Sequence, residues 1–177
     1  VTCKTALQLS GGQDSLAALY LLEPFWEGIS VAWVHARDAS EPLMRLMEDI
    51  QSVVPNFVVI DKRNAPRWRA SSGDPTIETW RACCTANLWL PMYEWTLAHG
   101  VKHVIRGCRQ TDPINAIAPG HIDEHGIGYI FPVWGWSDEK VREYLVGKPW
   151  QPVYPHDCAT CPVVKPCDRV EGVKRAA

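Results

Sequence analysis

The sequence predicts an α/β fold: a mostly parallel, twisted sheet with helices on both faces, followed by an extended C-terminal tail that carries cysteines. Three observations lead there. Short apolar runs rich in β-branched residues alternate with longer helix-like patterns, which is the sequence signature of βαβ crossovers. The first such run ends in Ser10-Gly11-Gly12 and opens directly into a helical pattern. The 177 residues show no internal repeat or low-complexity linker, so a single domain spanning 1–177 with one substantial core is expected.

The strands are predicted at Thr5 to Leu9, Ile29 to His35, Phe57 to Asp61 and Val101 to Arg106. Helical periodicity covers Leu16 to Leu22, Pro42 to Val53 and Thr79 to His99. Right-handed crossovers then give a parallel sheet, and ligands on such sheets gather at the carboxyl ends of the strands. The connection Lys62 to Glu78 is polar and carries Arg63, Arg67 and Arg69 with two prolines. It reads as a surface loop, either closing over an anion or simply solvated. A second long loop, Gly107 to Gly126, precedes an apolar stretch at Ile127 to Val133. Ser137 then offers an N-cap and Asp138 and Glu139 first-turn acids for a short helix with Val141, Tyr144 and Leu145 on its apolar face. From Pro149 onward, prolines at 152, 155, 162 and 166 make the tail extended and turn-rich.

Composition narrows the function. A net charge of -2 argues against a general nucleic-acid coat or a membrane-surface protein. There is no apolar run of membrane-spanning length and no signal-peptide layout, so a cytoplasmic location is expected. In a reducing compartment, seven cysteines are metal ligands or reactive thiols rather than disulfides.

The segment Ser10-Gly11-Gly12-Gln13-Asp14-Ser15 is the most informative. A strand that ends in two glycines and opens a helix aims backbone N–H groups and the positive end of the helix dipole at one point, which suits a phosphate or sulfate. No Gly-Lys-Ser/Thr follows at P-loop spacing, and the pattern is not a dinucleotide fingerprint. Cys83 and Cys84 are adjacent, and Cys158 and Cys161 form a Cys-x-x-Cys pair. That second spacing suits zinc or iron–sulfur, while neighbouring cysteines on a helix point in different directions and are accommodated more easily by several iron corners.

Ser-Gly-Gly-x-Asp-Ser resembles the PP-loop of the ATP-pyrophosphatase superfamily, whose sheet is of the adenine nucleotide alpha hydrolase type. Combined with Cys-Cys and a distant Cys-x-x-Cys, it resembles the assimilatory adenylyl-sulfate reductases, a branch of the phosphoadenylyl-sulfate reductase family. Ile105-Arg106-Gly107-Cys108-Arg109, then Thr111-Asp112, look like the family's strand-to-loop segment with basic residues. Phe131-Pro132-Val133-Trp134-Gly135-Trp136-Ser137 and Pro152-Val153-Tyr154-Pro155 look like its later motifs.

The resemblance implies a nucleotide and sulfate site at Ser10, Gly11, Gly12, Gln13, Asp14, Ser15, Arg106, Gly107 and Arg109, with His35 where adenine or ribose could pack. It implies a [4Fe-4S] cluster on Cys83, Cys84, Cys158 and Cys161, with zinc as the second choice. The substrate implied is adenylyl sulfate or phosphoadenylyl sulfate, and the reductant a thioredoxin-like thiol donor; ATP is the alternative nucleotide and a homodimer the open assembly state. Two departures stand out. The family's Glu-Cys-Gly-Leu-His segment is not found in the sixteen residues after Cys161, which leaves Cys167 as the tail thiol, near Lys165, Arg169 and Lys174. Position 13 is glutamine where many relatives carry lysine, which fits a smaller anion better than a triphosphate. The rival readings are an ATP-dependent sulfurtransferase acting on a nucleic acid or small molecule, and a non-catalytic nucleotide- and cluster-binding module. Nucleic acid is not the expected partner. His121 and His125 are loop histidines, expected to be solvated rather than metal-bound.

Overall fold

The computed structural model describes residues 3–36, 39–64, 82, 84–111 and 117–153. Five strands form one sheet: β1 (Thr5–Gln8), β2 (Ser30–Ala36), β3 (Phe57–Lys62), β4 (His103–Arg106) and β5 (Gly128–Ile130). Their order is β3-β2-β1-β4-β5, and every neighbouring pair is parallel. The helices are α1 (Gln13–Leu21), α2 (Glu41–Val53), α3 (Leu90–Ala98) and α4 (Asp138–Leu145), with a 3-10 helix at Glu23–Gly28 and a π-helical turn at Thr85–Trp89. This is the α/β architecture that the alternating pattern predicts.

Alternation along each strand explains why both faces must be covered. Leu7, Val31, Trp33 and Ile105 point to one side, where Leu16 and Leu19 of α1, Leu43, Met47 and Ile50 of α2, and Val141 and Leu145 of α4 bury them. Ala6, Val104 and Tyr129 point to the other, against Tyr93 and Trp95 of α3, and Ala32, Val34 and Ile60 meet Met92 there. α2 carries its buried residues as a stripe, Leu43, Leu46, Met47 and Ile50, whose i, i+3, i+4, i+7 spacing fits one helical face. α1 is buried on nearly all sides from Ser15 to Tyr20, as befits the helix wedged between the sheet and α4.

Several boundaries differ from those predicted. α1 starts at Gln13 rather than Leu16, because Gly12 serves as its N-cap and the polar residues 13 to 15 form its first turn. Glu23–Gly28 is a 3-10 helix that the apolar pattern does not announce; Pro24 fixes its first turn. β5 emerges from the apolar stretch 127–133 as three residues only, too short for alternation to be visible. The long helical pattern ending at His99 is interrupted by the π-helical turn, immediately before Pro91. Proline has no N–H and its ring crowds the preceding turn, so local widening of the helix there has a direct steric cause. The start of that pattern at 79–81 lies outside the described residues. Ser137 caps α4 as expected, accepting from the Lys140 N–H at 3.2 Å. No helix among the described residues is long and apolar enough to cross a membrane.

The loop before β5 is fastened by one carboxylate. Asp123 accepts from the backbone N–H groups of His125 and Ile127 and from the hydroxyls of Tyr93 and Tyr129. Burial opposes its charge, but these donors outweigh it and hold the Asp123 carboxyl below its usual range, while burial and Asp123 together push Tyr129 up to about 12. His121 and His125 pack against Tyr129 and Tyr93, and no metal-binding group of three or more side chains is found among the described residues.

After α4 the chain returns to α1. The Tyr20 hydroxyl accepts from the Trp150 N–H at 2.6 Å and donates to the Trp150 carbonyl at 3.3 Å, with the rings stacked at 5.5 Å. Lys148 Nζ sits 5.1 Å from the rings of both Tyr20 and Tyr144. Removing the hydroxyl by Tyr20→Phe leaves the Trp150 amide and carbonyl without these partners. The expected loss of about 1–3 kcal/mol, toward the lower end because the pair is only part-buried, should appear as a lower urea midpoint at unchanged slope.

Candidate functional site

The strand order sets the place where a ligand fits. β1 is flanked by β2 on one side and β4 on the other. Sequence order therefore reverses direction beside β1, and the loops leaving β1 and β4 meet at the carboxyl edge of the sheet, where ligands of such sheets gather. Ser10 to Ser15 and Arg106 to Arg109 are those two loops.

The first loop is held in shape by its own serines. The Ser15 hydroxyl donates to the Gly12 carbonyl at 2.9 Å and accepts from the Ser10 N–H at 3.2 Å, and the two serine hydroxyls lie 2.9 Å apart. The Gly12 N–H reaches Ser10 Oγ at 3.3 Å. Gly11 has φ +84, and a Cβ there would come within 2.5 Å of Leu43 Cδ1, so both conformation and space demand glycine. Its carbonyl accepts from the Val153 N–H at 2.9 Å, which brings the start of the C-terminal tail onto the loop. No side chain caps α1 at Gly12, which leaves the positive end of the helix without a side-chain acceptor at the carboxyl edge of the sheet.

The second loop packs backbone on backbone against the first. A Cβ on Gly107 would lie 2.4 Å from the carbonyl carbon and oxygen of Asp14 and from Ser15 Cα. Arg109 reinforces this contact: Nε lies 3.0 Å from Asp14 Oδ1 and Nη2 lies 2.6 Å from Asp138 Oδ1. Burial opposes the guanidinium charge, yet the two carboxylates outweigh it and raise the Arg109 pKa further. Gln13 Nε2 donates to the same Asp138 oxygen at 3.2 Å. The arginine thus ties the first turn of α1 to the first turn of α4.

Arg106, at the end of β4, has a different environment. It is half-buried, no carboxylate among the described residues lies within ion-pair distance, and its guanidinium carbon is 5.8 Å from the centroid of the Trp89 ring. One strand over on the other side, His35 stands opposite Asp61 and stacks on Trp33 with centroids 4.6 Å apart. Burial first and the Arg63 charge second push the His35 pKa down, with Asp61 acting the other way. Hydrogen bonds from the Arg63 side chain and N–H hold the Asp61 carboxyl well below its ordinary range.

Eight of the residues named from sequence therefore meet in one cluster: Ser10, Gly11, Gly12, Gln13, Asp14, Ser15, Gly107 and Arg109. Arg106 and His35 stand at neighbouring strand ends. Cys84 is half-buried and helical, directly before the π-helical turn, and Cys108 is half-buried against the core cluster of Ala6, Val104 and Tyr129 on the second face of the sheet. Cys83, Cys158, Cys161 and Cys167 lie outside the described residues. Sequence reasoning missed Asp138, Trp89 and Val153. Asp138 reads only as a first-turn acid of α4, and nothing in the local pattern around Trp89 or Val153 marks a contact with a distant loop.

A 3-2-1-4-5 parallel sheet with Ser-Gly-Gly-x-Asp-Ser at its switch point defines a nucleotide-binding α/β domain of the PP-loop type. The chain belongs to the phosphoadenosine phosphosulfate reductase domain family, whose sequence profile matches residues 4–157. Its fold is similar to that of phosphoadenylyl-sulfate reductase from Candida auris, solved as a phosphate complex. The TM-score is 0.62 at 12% identity, over 84% of this chain and 74% of that one. It is also similar to the U34-tRNA thiolase NcsA from Methanococcus maripaludis, solved with its [4Fe-4S] cluster. There the TM-score is 0.60 at 13% identity, over 98% of this chain and 64% of that one, so this chain spans under two thirds of the thiolase. At such identities the likeness is one of fold. No curated protein sequence matches the chain.

Gly107→Ala should force β4 and α1 apart and cost about 1–3 kcal/mol, as overpacking against backbone does. Gly135→Ala, whose Cβ would meet nothing within 4 Å, should stay within about 0.5 kcal/mol in the same denaturation measurement.

Proposed function

We propose that the chain is a sulfonucleotide reductase-like enzyme, which takes adenylyl sulfate or phosphoadenylyl sulfate and releases sulfite with AMP or its 3′-phospho form. The observation that carries this reading is the uncapped N-terminus of α1 behind a loop that the Gly107 backbone holds from the opposite strand. Donors fixed before the ligand arrives stabilise the charge that develops on a leaving phosphate without having to reorganise. Membership in the family and the phosphate seen with the Candida auris reductase support the same reading.

In this account Ser10, Gly11, Gly12 and Ser15 receive the anion, Asp14 and Arg109 brace the loop, and Arg106 supplies the cation. His35, kept neutral by burial, borders the nucleoside at the end of β2. A thiolate attacks the sulfonate sulfur, forming an S–S bond as the sulfur–oxygen bond to phosphate breaks, and the electron pair leaves with the phosphate oxygen of AMP. A dithiol donor of the thioredoxin kind then attacks the cysteine sulfur. Two thiols become one disulfide, and the sulfur departs as sulfite at the lower oxidation level. Cys167 is assigned as the nucleophile, with Lys165 and Arg169 near it in sequence to favour the thiolate. Such thiol chemistry requires a reducing compartment, in keeping with a cytoplasmic location.

Four cysteines, Cys83, Cys84, Cys158 and Cys161, match the donor set of a [4Fe-4S] cluster, with zinc the second choice. Of the four, Cys84 is a half-buried thiol in the helical segment that leads into α3, and Cys83, Cys158 and Cys161 lie outside the described residues. Bound there, such a cluster would supply a local electrostatic field and no substrate-directed electrons.

Gln13 bears on the alternative of ATP-dependent sulfur transfer. Its amide is turned onto Asp138, and no cation stands at this position to grip a triphosphate. Anaerobic incubation with adenylyl sulfate, its 3′-phospho form and ATP in parallel separates the readings. Sulfite should appear with a sulfonucleotide and dithiol, and without dithiol a sulfonate adduct should form on Cys167 and vanish in Cys167→Ser. Pyrophosphate from ATP, with neither sulfite nor adduct, would contradict the proposal.

A further inference from the structure

Arg106 and Arg109 flank Gly107, yet their surroundings are opposite in kind. Arg109 has a side chain only 13% exposed and lies between Asp14 and Asp138, so its charge is matched inside the protein. Arg106 leaves the carboxyl end of β4 with an aromatic ring, not a carboxylate, as its neighbour among the described residues. The difference matters for a site that receives an anion. A carboxylate would hold the guanidinium in place but would also repel the ligand. An indole face holds a cation through its quadrupole and leaves the formal charge unneutralised.

Trp89 also occupies a particular place in the chain. It is the last residue of the π-helical turn Thr85–Trp89, which begins directly after Cys84 and ends before Pro91. The extra residue accommodated in a π turn changes where every preceding side chain points relative to α3. Cys84 and Trp89 are therefore set by one irregular segment, with Arg106 at its far side.

We infer that Trp89 is a positioning residue for anion binding: its indole face holds the Arg106 guanidinium at the carboxyl end of β4 and links that cation to the helix bearing Cys84. The inference rests on the sulfonucleotide reading above. It assigns Trp89 no contact with the ligand. Its effect is exerted wholly through Arg106.

Calorimetric titration of the full chain with adenylyl sulfate and with inorganic sulfate, under anaerobic conditions, tests this. The variants are Trp89→Met, Trp89→Phe, Arg106→Gln and the Trp89→Met/Arg106→Gln double. Trp89→Met fills the space without a π face and should weaken adenylyl-sulfate binding about 3- to 10-fold, the range expected for one cation–π contact. Trp89→Phe should recover most of the affinity. In the Arg106→Gln background, Trp89→Met should have no further effect. If Trp89→Met does not fold, Trp89→Phe carries the same cycle with an expected loss of about 2-fold. A Trp89 effect that persists undiminished without Arg106 would mean a general packing role and overturn the inference while leaving the sulfonucleotide reading standing. Undiminished binding in Arg106→Gln would overturn the inference and the role of Arg106 as the cation of the site, while leaving the substrate class standing. A wild-type chain that binds neither ligand would overturn both.

Discussion

The close approach of Gly107 to the backbone of Asp14 and Ser15 is the constraint on which the rest of the site depends. Two loops leaving adjacent parallel strands would ordinarily diverge toward opposite faces of the sheet and leave a crevice between them. Here one loop lies against the other with no side chain between, since a Cβ at 107 would fall 2.4 Å from three backbone atoms. That contact sets the pitch of α1's first turn relative to β4, and so fixes where the unsatisfied end of the helix points. Arg109 adds a charged tie across the same junction, reaching Asp14 and Asp138 together.

The electrostatics follow from this arrangement. One guanidinium between two carboxylates carries a net negative charge of about one unit, so the Arg109 group is a brace and a poor attractor of anions. Under the proposed function, attraction would come instead from the α1 N-terminus, which no side chain caps, and from Arg106, whose neighbour among the described residues is the Trp89 ring. Gln13 joins the brace through Asp138. The tail, held by Trp150 on Tyr20 and by the Val153 N–H on the Gly11 carbonyl, departs from the cradle itself.

Much of this was legible in the sequence, for identifiable reasons. Short apolar runs exposed β1 to β4; the central strand β2 is buried along nearly its whole length and reads as a continuous apolar stretch, while the edge strand β3 is marked by its β-branched residues although it is buried only at Ile60. Gly11 and Gly12 stood out because a strand-to-helix turn with a left-handed residue has few alternatives to glycine. Ser137 was readable as a cap because capping is local. What escaped was non-local or irregular. β5 is three residues long, the 3-10 helix has no buried stripe, and the π-helical turn depends on Pro91 lying within a longer apolar pattern. The roles of Asp138 and Trp89 depend on side chains brought together across many residues, which no local spacing encodes. Sequence named both arginines together; in the structure Arg109 lies between Asp14 and Asp138, while Arg106 has the Trp89 ring as its neighbour among the described residues.

The central claim is that the loops 10–15 and 106–109 act as one preformed cradle for a sulfonucleotide. Amide hydrogen exchange with and without adenylyl sulfate tests it directly, residue by residue. The account expects amides at 11 to 15 and at 107 to 109 to slow together when the nucleotide is added, in a chain otherwise little changed. Unchanged exchange in both loops at a nucleotide concentration that protects another part of the chain would contradict it.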